Sequence, residues 1–205
     1  MKKIRVEILF LLMFFTLWGS FAGAAEEPYR RLTDAKAAFE CDIPAGWSEM
    51  QFKNLWFWKG PTSDAGYRAT LSVKYYQNGV DDYASARDYI ANLSGSAQPS
   101  KGAAAPPVQI TPVRVANMDG SRFEVDEKFM QEDMPRRKSP RRPLRHWGRI
   151  PVRHAHVVLP VNDGFWALRF SAEIEEFMQY RPHFERLLTS FTPKGVPKRQ
   201  SNGME

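Results

Sequence analysis

Apolar and polar residues alternate along several segments of the chain, the pattern typical of a strand with one face in a core. From Tyr67 to Tyr75 every second residue is apolar, while polar residues hold the opposite phase. A first strand is predicted from about Ala37 to Ile43, with the apolar phase passing through Cys41. The aromatic-dense stretch 55–58 predicts another strand, because bulky rings pack well on a pleated surface.

Two pairs of apolar segments are joined by turn-forming residues and predict β-hairpins. The first hairpin spans residues 108–129 and turns at 118–120, where Gly120 would supply the positive φ of a tight turn. The second spans residues 152–171 and turns at Asn162, Asp163 and Gly164, the strongest turn signal in the chain. Consecutive hairpins predict antiparallel strand pairing.

Helical spacing of apolar residues appears in two further segments. Asp81 or Asp82 is predicted to cap a helix with a stripe of four inward residues: Tyr83, Ala86, Ile90 and Leu93. The last element begins near Ser171 and carries a longer stripe: Phe177, Tyr180, Phe184, Leu187, Leu188 and Phe191. Because Pro182 lies inside this pattern, we expect a short helix, a kink at Arg181 and a longer helix that ends near Ser190.

The first residues have the order of a secretory signal peptide. A cationic start with Lys2 and Arg5 precedes the apolar run 8–18, and the small residues 22–24 fit a cleavage site after Ala24. We therefore predict a periplasmic or secreted protein with residues 1–24 removed. The alternative is an uncleaved membrane anchor, since residues 8–25 approach the length of a bilayer span.

After cleavage, 181 of the 205 residues remain and the net charge falls from +6 to +4. This length suits one domain, which we place at residues 36–193, after a flexible segment at 25–35 and before a disordered tail at 194–205. The single cysteine, Cys41, excludes an internal disulfide, and its strand phase predicts a buried thiol.

Apolar and turn residues at both ends of this domain resemble the PsbP-like superfamily, which includes the DcrB-like bacterial envelope proteins. The opening residues that match are Phe39, Ile43, Pro44, Gly46 and Trp47. The closing residues that match are Leu159, Pro160, Gly164, Phe165, Leu168, Phe170, Phe177, Tyr180, Phe184, Ser190 and Phe191. The resemblance implies an α/β (α+β) fold: an antiparallel β-sheet of about six to seven strands with helices packed on both faces.

The same resemblance implies a non-enzymatic role, since known members act as accessory, scaffolding or chaperone proteins. The residues agree with this expectation, because the chain contains neither a G-x-S-x-G elbow nor a glycine-rich phosphate loop. We therefore expect no catalytic residue and no cofactor.

A Pro- and Arg-rich insertion at residues 131–150 is the one segment whose composition is unusual. Like charges at this density favour contact with anions, and arginine suits phosphate or carboxylate groups. The candidate binding residues for an anionic membrane surface or another envelope protein are Arg136, Arg137, Lys138, Arg141, Arg142, Arg145, Arg149 and Arg153. Export argues against nucleic acid as a partner, and a solvated loop that only aids solubility is the plain alternative.

Two other features are weighed against structural roles. His154 and His156 share one face of a predicted strand, but nearby arginines oppose a cation, so no metal site is expected. Within the stretch 56–58, Phe57 must point away from both tryptophans, so one side needs a cover. This second feature keeps an alternative function open: a periplasmic carrier or chaperone for a hydrophobic ligand or segment.

Overall fold

A computed structural model describes residues 28–33, 38–52, 54–96, 107–129 and 149–195. The elements in chain order are β1 (Tyr29–Leu32), β2 (Phe39–Pro44), β3 (Ser48–Phe52), β4 (Leu55–Thr62), β5 (Arg68–Gln77), α1 (Ala86–Ser96), β6 (Thr111–Val115), β7 (Met118–Phe129), β8 (Ile150–Val161), β9 (Gly164–Glu173), α2 (Phe177–Ser190) and β10 (Thr192–Pro193). The predicted leader at 1–24 and most of the predicted tail lie outside these residues. Within the described ranges, no helix has the length and apolar character needed to cross a membrane.

The chain has an α+β fold dominated by antiparallel sheets. Seven strands form the larger sheet in the order β3-β4-β5-β9-β8-β7-β6, and a three-stranded sheet has the order β1-β2-β10. All the strand pairs are antiparallel, as the two predicted hairpins required.

The larger hydrophobic cluster joins both sheets to α2. In β5 the predicted apolar phase is buried from Ala69 through Tyr75, and the stripe of α2 is buried against the same cluster. Phe39, Leu168 and Phe184 have no exposed surface and belong to this one cluster. The leading and closing apolar patterns of the domain therefore meet in a single interior.

A smaller cluster lies beneath α1. Tyr89 of the helix packs with residues of three strands: Phe123, Val125, Val158, Phe165 and Ala167. The predicted helical stripe also packs against this cluster, so its inward direction is confirmed. Tyr89 is the most deeply buried side chain of the helix, although it lies outside the predicted stripe.

The cap of α1 differs from the prediction. Ser85 Oγ accepts a hydrogen bond from the Asp88 amide at 3.2 Å, and the Asp88 carboxylate accepts one from the Ala84 amide at 3.2 Å. Ser85 is therefore the N-cap residue, Asp88 ties the chain just before the cap to the first turn, and the helix begins at Ala86. Asp81 instead accepts from the Gln77 amide at 2.8 Å, within the preceding turn.

The first hairpin turns earlier than predicted, whereas the second is confirmed. Ala116 and Asn117 link β6 to β7 with φ values of 50° and 65°, and Gly120 lies inside β7. Two consecutive positive φ values are the geometry of a type I′ turn, whose twist suits a hairpin. In the second hairpin, Val161 pairs with Gly164 around a two-residue turn.

The strand β1 falls within residues 25–35, for which the sequence predicts a flexible segment. It pairs with β2, and Arg31 lies 3.2 Å from the Glu40 carboxylate and 3.1 Å from the Asp42 carboxylate. The polar residues of this segment predict a solvated chain, but the acidic partners of Arg31 lie on the neighbouring strand β2, and Arg30 forms an ion pair with Glu49 of β3.

The last helix is one element rather than two. β9 continues to Glu173, and α2 then runs from Phe177 to Ser190 with Pro182 inside it. Ser190 Oγ accepts a hydrogen bond from the Asp42 amide at 2.8 Å, which fixes the end of the helix to β2.

Candidate functional site

The two histidines of β8 lie on one face of the larger sheet, as predicted, and both are buried. His154 Nε2 is 3.3 Å from Glu127 Oε2 in β7, and its Nδ1 is 2.5 Å from Ser171 Oγ in β9. His156 Nδ1 is 3.1 Å from the Tyr89 hydroxyl, and its ring stacks on Phe123 at a centroid distance of 4.9 Å.

Arg169 of β9 sets the tautomer of His154. Its guanidinium lies 2.8 Å from His154 Nδ1. The same guanidinium nitrogen lies farther from Nε2, at 3.4 Å. Because a guanidinium only donates hydrogen bonds, the shorter contact assigns Nδ1 as the acceptor, and Nε2–H donates to Glu127. Burial, more than the charge of Arg169, lowers the pKa of His154, and burial with Arg169 holds the pKa of His156 well below its usual value. Both rings are therefore neutral at pH 7.

The order Glu127, His154, Ser171 resembles the acid, base and nucleophile of a hydrolase, but its surroundings favour a structural role. Ser171 is only 1% exposed, and Arg169 donates into the nitrogen that would have to accept the serine proton. The cluster instead cross-links β7, β8 and β9 with polar contacts. No group of three metal-binding side chains occurs among the described residues.

Sequence reasoning missed Glu127, Arg169 and Ser171 as neighbours of His154. Each occupies a strand position whose polar identity indicates a solvated face. Only the pairing register, which sets His154 opposite both Val125 and Ser171, brings these side chains together.

Most of the predicted basic site lies outside the described residues: Arg136, Arg137, Lys138, Arg141, Arg142 and Arg145. The chain enters this segment after Phe129 and leaves it before Ile150, and these two residues are paired in β7 and β8. Arg149 is exposed beside this pair. Residues 130–148, which we call the basic segment, therefore connect the two strands of a long hairpin.

Arg153, another of the predicted binding residues, lies in β8 and forms an ion pair with Asp126. Its Nε and one terminal nitrogen lie 2.6 Å and 2.8 Å from the two carboxylate oxygens of Asp126. The hydrogen bonds that Arg153 donates to Asp126 raise the pKa of Arg153, and the guanidinium lies 5.6 Å from the centre of the Phe177 ring. Its donors are thus already engaged within the fold.

Charge is divided unequally between the folded body and the basic segment. The described residues carry 15 basic and 16 acidic side chains, whereas residues 130–148 carry six basic and two acidic ones. The positive charge of the chain is therefore concentrated in one hairpin connection.

A surface depression of about 380 Å³ lies between Trp47 and the last residues of β4. Its lining mixes apolar and polar residues: Gly46, Trp47, Ser48, Lys59, Gly60, Pro61, Thr62 and Arg68. This composition differs from the apolar groove that a carrier of hydrophobic ligands would need.

No protein-family model matches the chain, and no curated protein is significantly similar to it in sequence. A crystal structure from Bacteroides thetaiotaomicron is similar over 82% of this chain, at 9% identity and a TM-score of 0.48, and this chain covers 50% of that protein. LpqN of Mycobacterium tuberculosis, which is involved in cell envelope biogenesis, is similar over 82% of this chain and 86% of its own, at 10% identity and a TM-score of 0.43. The solution structure of the PsbP protein of Synechocystis is similar over 86% of this chain and 99% of its own, at 12% identity and a TM-score of 0.44. A PsbP protein is therefore among the structures that this chain resembles, and the likeness concerns the fold alone.

Proposed function

We propose that the chain is an exported, non-enzymatic accessory protein that docks on an anionic component of the cell envelope through its basic segment. The observation that carries this proposal is the charge distribution: six basic and two acidic residues lie in 130–148, on a body whose charges nearly cancel. A surface of balanced charge gives little general attraction to anions, so attraction would be confined to this segment.

The attachment of the segment supports docking. Both of its ends join paired residues of β7 and β8, so a contact made by the arginines would be transmitted to the sheet. Each basic residue near an anionic membrane contributes about 1 kcal/mol, so several together give binding that salt weakens. Arg149 belongs to this set, whereas we assign Arg153 to the fold because Asp126 holds it.

Export rests on the leader pattern at residues 1–24, which predicts a periplasmic or secreted protein. We also infer that α1 and α2 cover opposite faces of the larger sheet. Phe165 and Trp166 are adjacent in β9 and must point to opposite sides, and they belong to the clusters of α1 and α2 respectively.

Flotation with lipid vesicles tests the docking proposal. Protein purified from the exported fraction should float with vesicles that contain anionic phosphatidylglycerol. It should stay at the bottom of the gradient when the vesicles contain only neutral phosphatidylcholine. Binding should weaken as salt rises from about 0.05 M to 0.5 M, because the Debye length shortens several-fold.

Matched variants separate docking from general charge. The triple substitution Arg141→Gln, Arg142→Gln, Arg145→Gln should reduce flotation strongly. A control that removes three exposed arginines from the body, at 68, 87 and 114, loses the same charge and should float as before. Equal loss in both variants, or no binding by the original protein, would overturn the proposal.

The alternative function, a carrier or chaperone for a hydrophobic ligand or segment, is favoured by one observation. Trp56 and Trp58 are buried in the larger cluster, whereas Phe57 is partly exposed on the other side of β4.

A further inference from the structure

A row of side chains crosses the sheet from its edge toward its centre. Met50 pairs with Phe57, Phe57 with Ser72, and Ser72 with Arg169, so the four residues point to the same side of β3, β4, β5 and β9. Met50 is 51% exposed, and the other three are partly exposed. We call these four residues the cross-sheet row. It is apolar at the sheet edge and cationic at the centre.

Arg169 makes only contacts to neutral groups. Its Nε donates to Ser171 Oγ at 3.2 Å, and one terminal nitrogen donates to His154 Nδ1 at 2.8 Å. Within the described ranges Arg169 forms no ion pair within 4.0 Å; the Glu127 carboxylate, which is hydrogen-bonded to His154, acts on its charge only without direct contact. A partly buried guanidinium without an anion is unfavourable, and its remaining donors suit a carboxylate or phosphate.

Two lysines and the hydroxyl of Thr70 lie beside the row on the same face. The Lys59 ammonium lies 5.8 Å from the centre of the Phe57 ring, and the Lys74 ammonium lies 4.0 Å from the centre of the Tyr76 ring. Lys74 is also 4.0 Å from the carboxylate of Asp82, which is 81% exposed. Thr70, which is paired with Lys59, and Ser72 alternate with apolar residues along β5 and carry their hydroxyls on this face. Lys59, Lys74 and Arg169 thus place three positive charges on this face.

We propose that the cross-sheet row binds an amphiphilic anion, with its carboxylate or phosphate head on Arg169 and its hydrocarbon tail across Phe57 and Met50. Three strand spacings of about 4.8 Å separate the ends of the row, which gives roughly 14 Å for the tail. A neutral hydrocarbon would leave Arg169 without an anion, and a small anion would leave the apolar end in water. Only a ligand with both parts satisfies the whole row.

This site is independent of the basic segment, and free decanoate tests it. Isothermal titration should detect binding of decanoate, with decanol and acetate each weaker by about tenfold or more, the effect of losing one charge-assisted hydrogen bond or several buried methylene groups. Equal binding of decanoate and decanol would overturn the role of Arg169. Absence of decanoate binding would overturn the site.

Substitutions in the row identify the two ends of the ligand. Arg169→Gln should lower the affinity for decanoate by about tenfold or more. Ser72→Asp should lower it to the same extent, because it places a carboxylate beside the head group. Met50→Ser should lower the affinity for decanoate but leave the affinity for acetate unchanged. Arg114→Gln, at an exposed position in β6, is the matched control and should have no effect.

A second measurement separates loss of binding from loss of fold. Because Arg169 also holds His154, near-ultraviolet circular dichroism should accompany each titration, and Ser72→Asp tests the same site without removing that contact. Unchanged decanoate binding in a folded Ser72→Asp variant would contradict the proposal. The triple arginine variant of the basic segment should bind decanoate normally. A failure of the docking proposal can therefore be distinguished from a failure of the decanoate site.

Discussion

Gly120 in β7 lies against the main chain of Val158 in β8, at a separation that leaves no room for a side chain. A Cβ atom on Gly120 would lie 2.4 Å from the Val158 carbonyl oxygen and 2.7 Å from a methyl group of Leu159. We expect Gly120→Ala to lower the free energy of unfolding by about 1–3 kcal/mol, because the two strands must move apart. Urea denaturation measures this change.

Gly95 in the last turn of α1 provides the control for that substitution. A Cβ atom there would meet no other atom within 4 Å. Gly95→Ala should therefore raise the free energy of unfolding by about 0.5–1 kcal/mol, through the helix propensity of alanine alone. If Gly120→Ala were as harmless as Gly95→Ala, the close approach of β7 and β8 would be contradicted.

The role of Gly120 also shows where sequence reasoning stops. Asp119 and Gly120 together are typical of a turn. In the structure, however, Ala116 and Asn117 form the turn, and Gly120 allows β7 and β8 to lie close together. Glycine suits both roles, and a single sequence does not distinguish them. Periodicity succeeded where a face is buried, as in β5, and failed for β3, whose residues are exposed in both phases.

The candidate site was predictable only in part for a similar reason. The spacing of His154 and His156 placed them on one face, and alternation separated Phe57 from its tryptophan neighbours. The register that brings Glu127 and Arg169 to His154 depends on pairing between strands distant in sequence. Local pattern carries no information about that register.

The ion pair of Arg153 predicts a stability effect without a docking effect. Arg153→Gln should lower the free energy of unfolding by about 0.5–1 kcal/mol, since its pair with Asp126 is partly exposed and solvent weakens it. Flotation with anionic vesicles should match that of the original protein. A strong loss of flotation in this single variant would show that Arg153 takes part in docking.

Cys41 should be inert to thiol reagents in the folded protein. The side chain has no exposed surface, and burial raises the pKa of its thiol to about 12. Ellman's reagent at pH 8 should therefore release almost no chromophore until denaturant is added, and then one equivalent per chain. Rapid reaction of the native protein would show that β2 opens readily from the larger cluster.

Acid should destabilise the protein through its two buried histidines. The unfolded chain takes up protons near pH 6.5, whereas the folded protein keeps His154 and His156 neutral to lower pH. Protonation thus favours the unfolded state, and stability falls as pH drops below 6.5 toward the lowered pKa values. Each ring contributes up to about 1.4 kcal/mol per pH unit in this window, and nothing above it.

Urea denaturation at pH 7.5, 6.0 and 5.0 tests this dependence, and His156→Gln isolates one ring. Glutamine keeps a polar group near the Tyr89 hydroxyl but does not titrate, so the variant should lose less stability between pH 7.5 and pH 5.0 than the original protein. Glu127 acts in a lower range, because the hydrogen bond from His154 lowers the pKa of its carboxyl below the usual 4.5. Its contribution is lost only as pH falls below that value, so it does not obscure the histidine window. Equal slopes in the two proteins would mean that His156 is already accessible to protons in the native fold, against its packing between Phe123 and Tyr89.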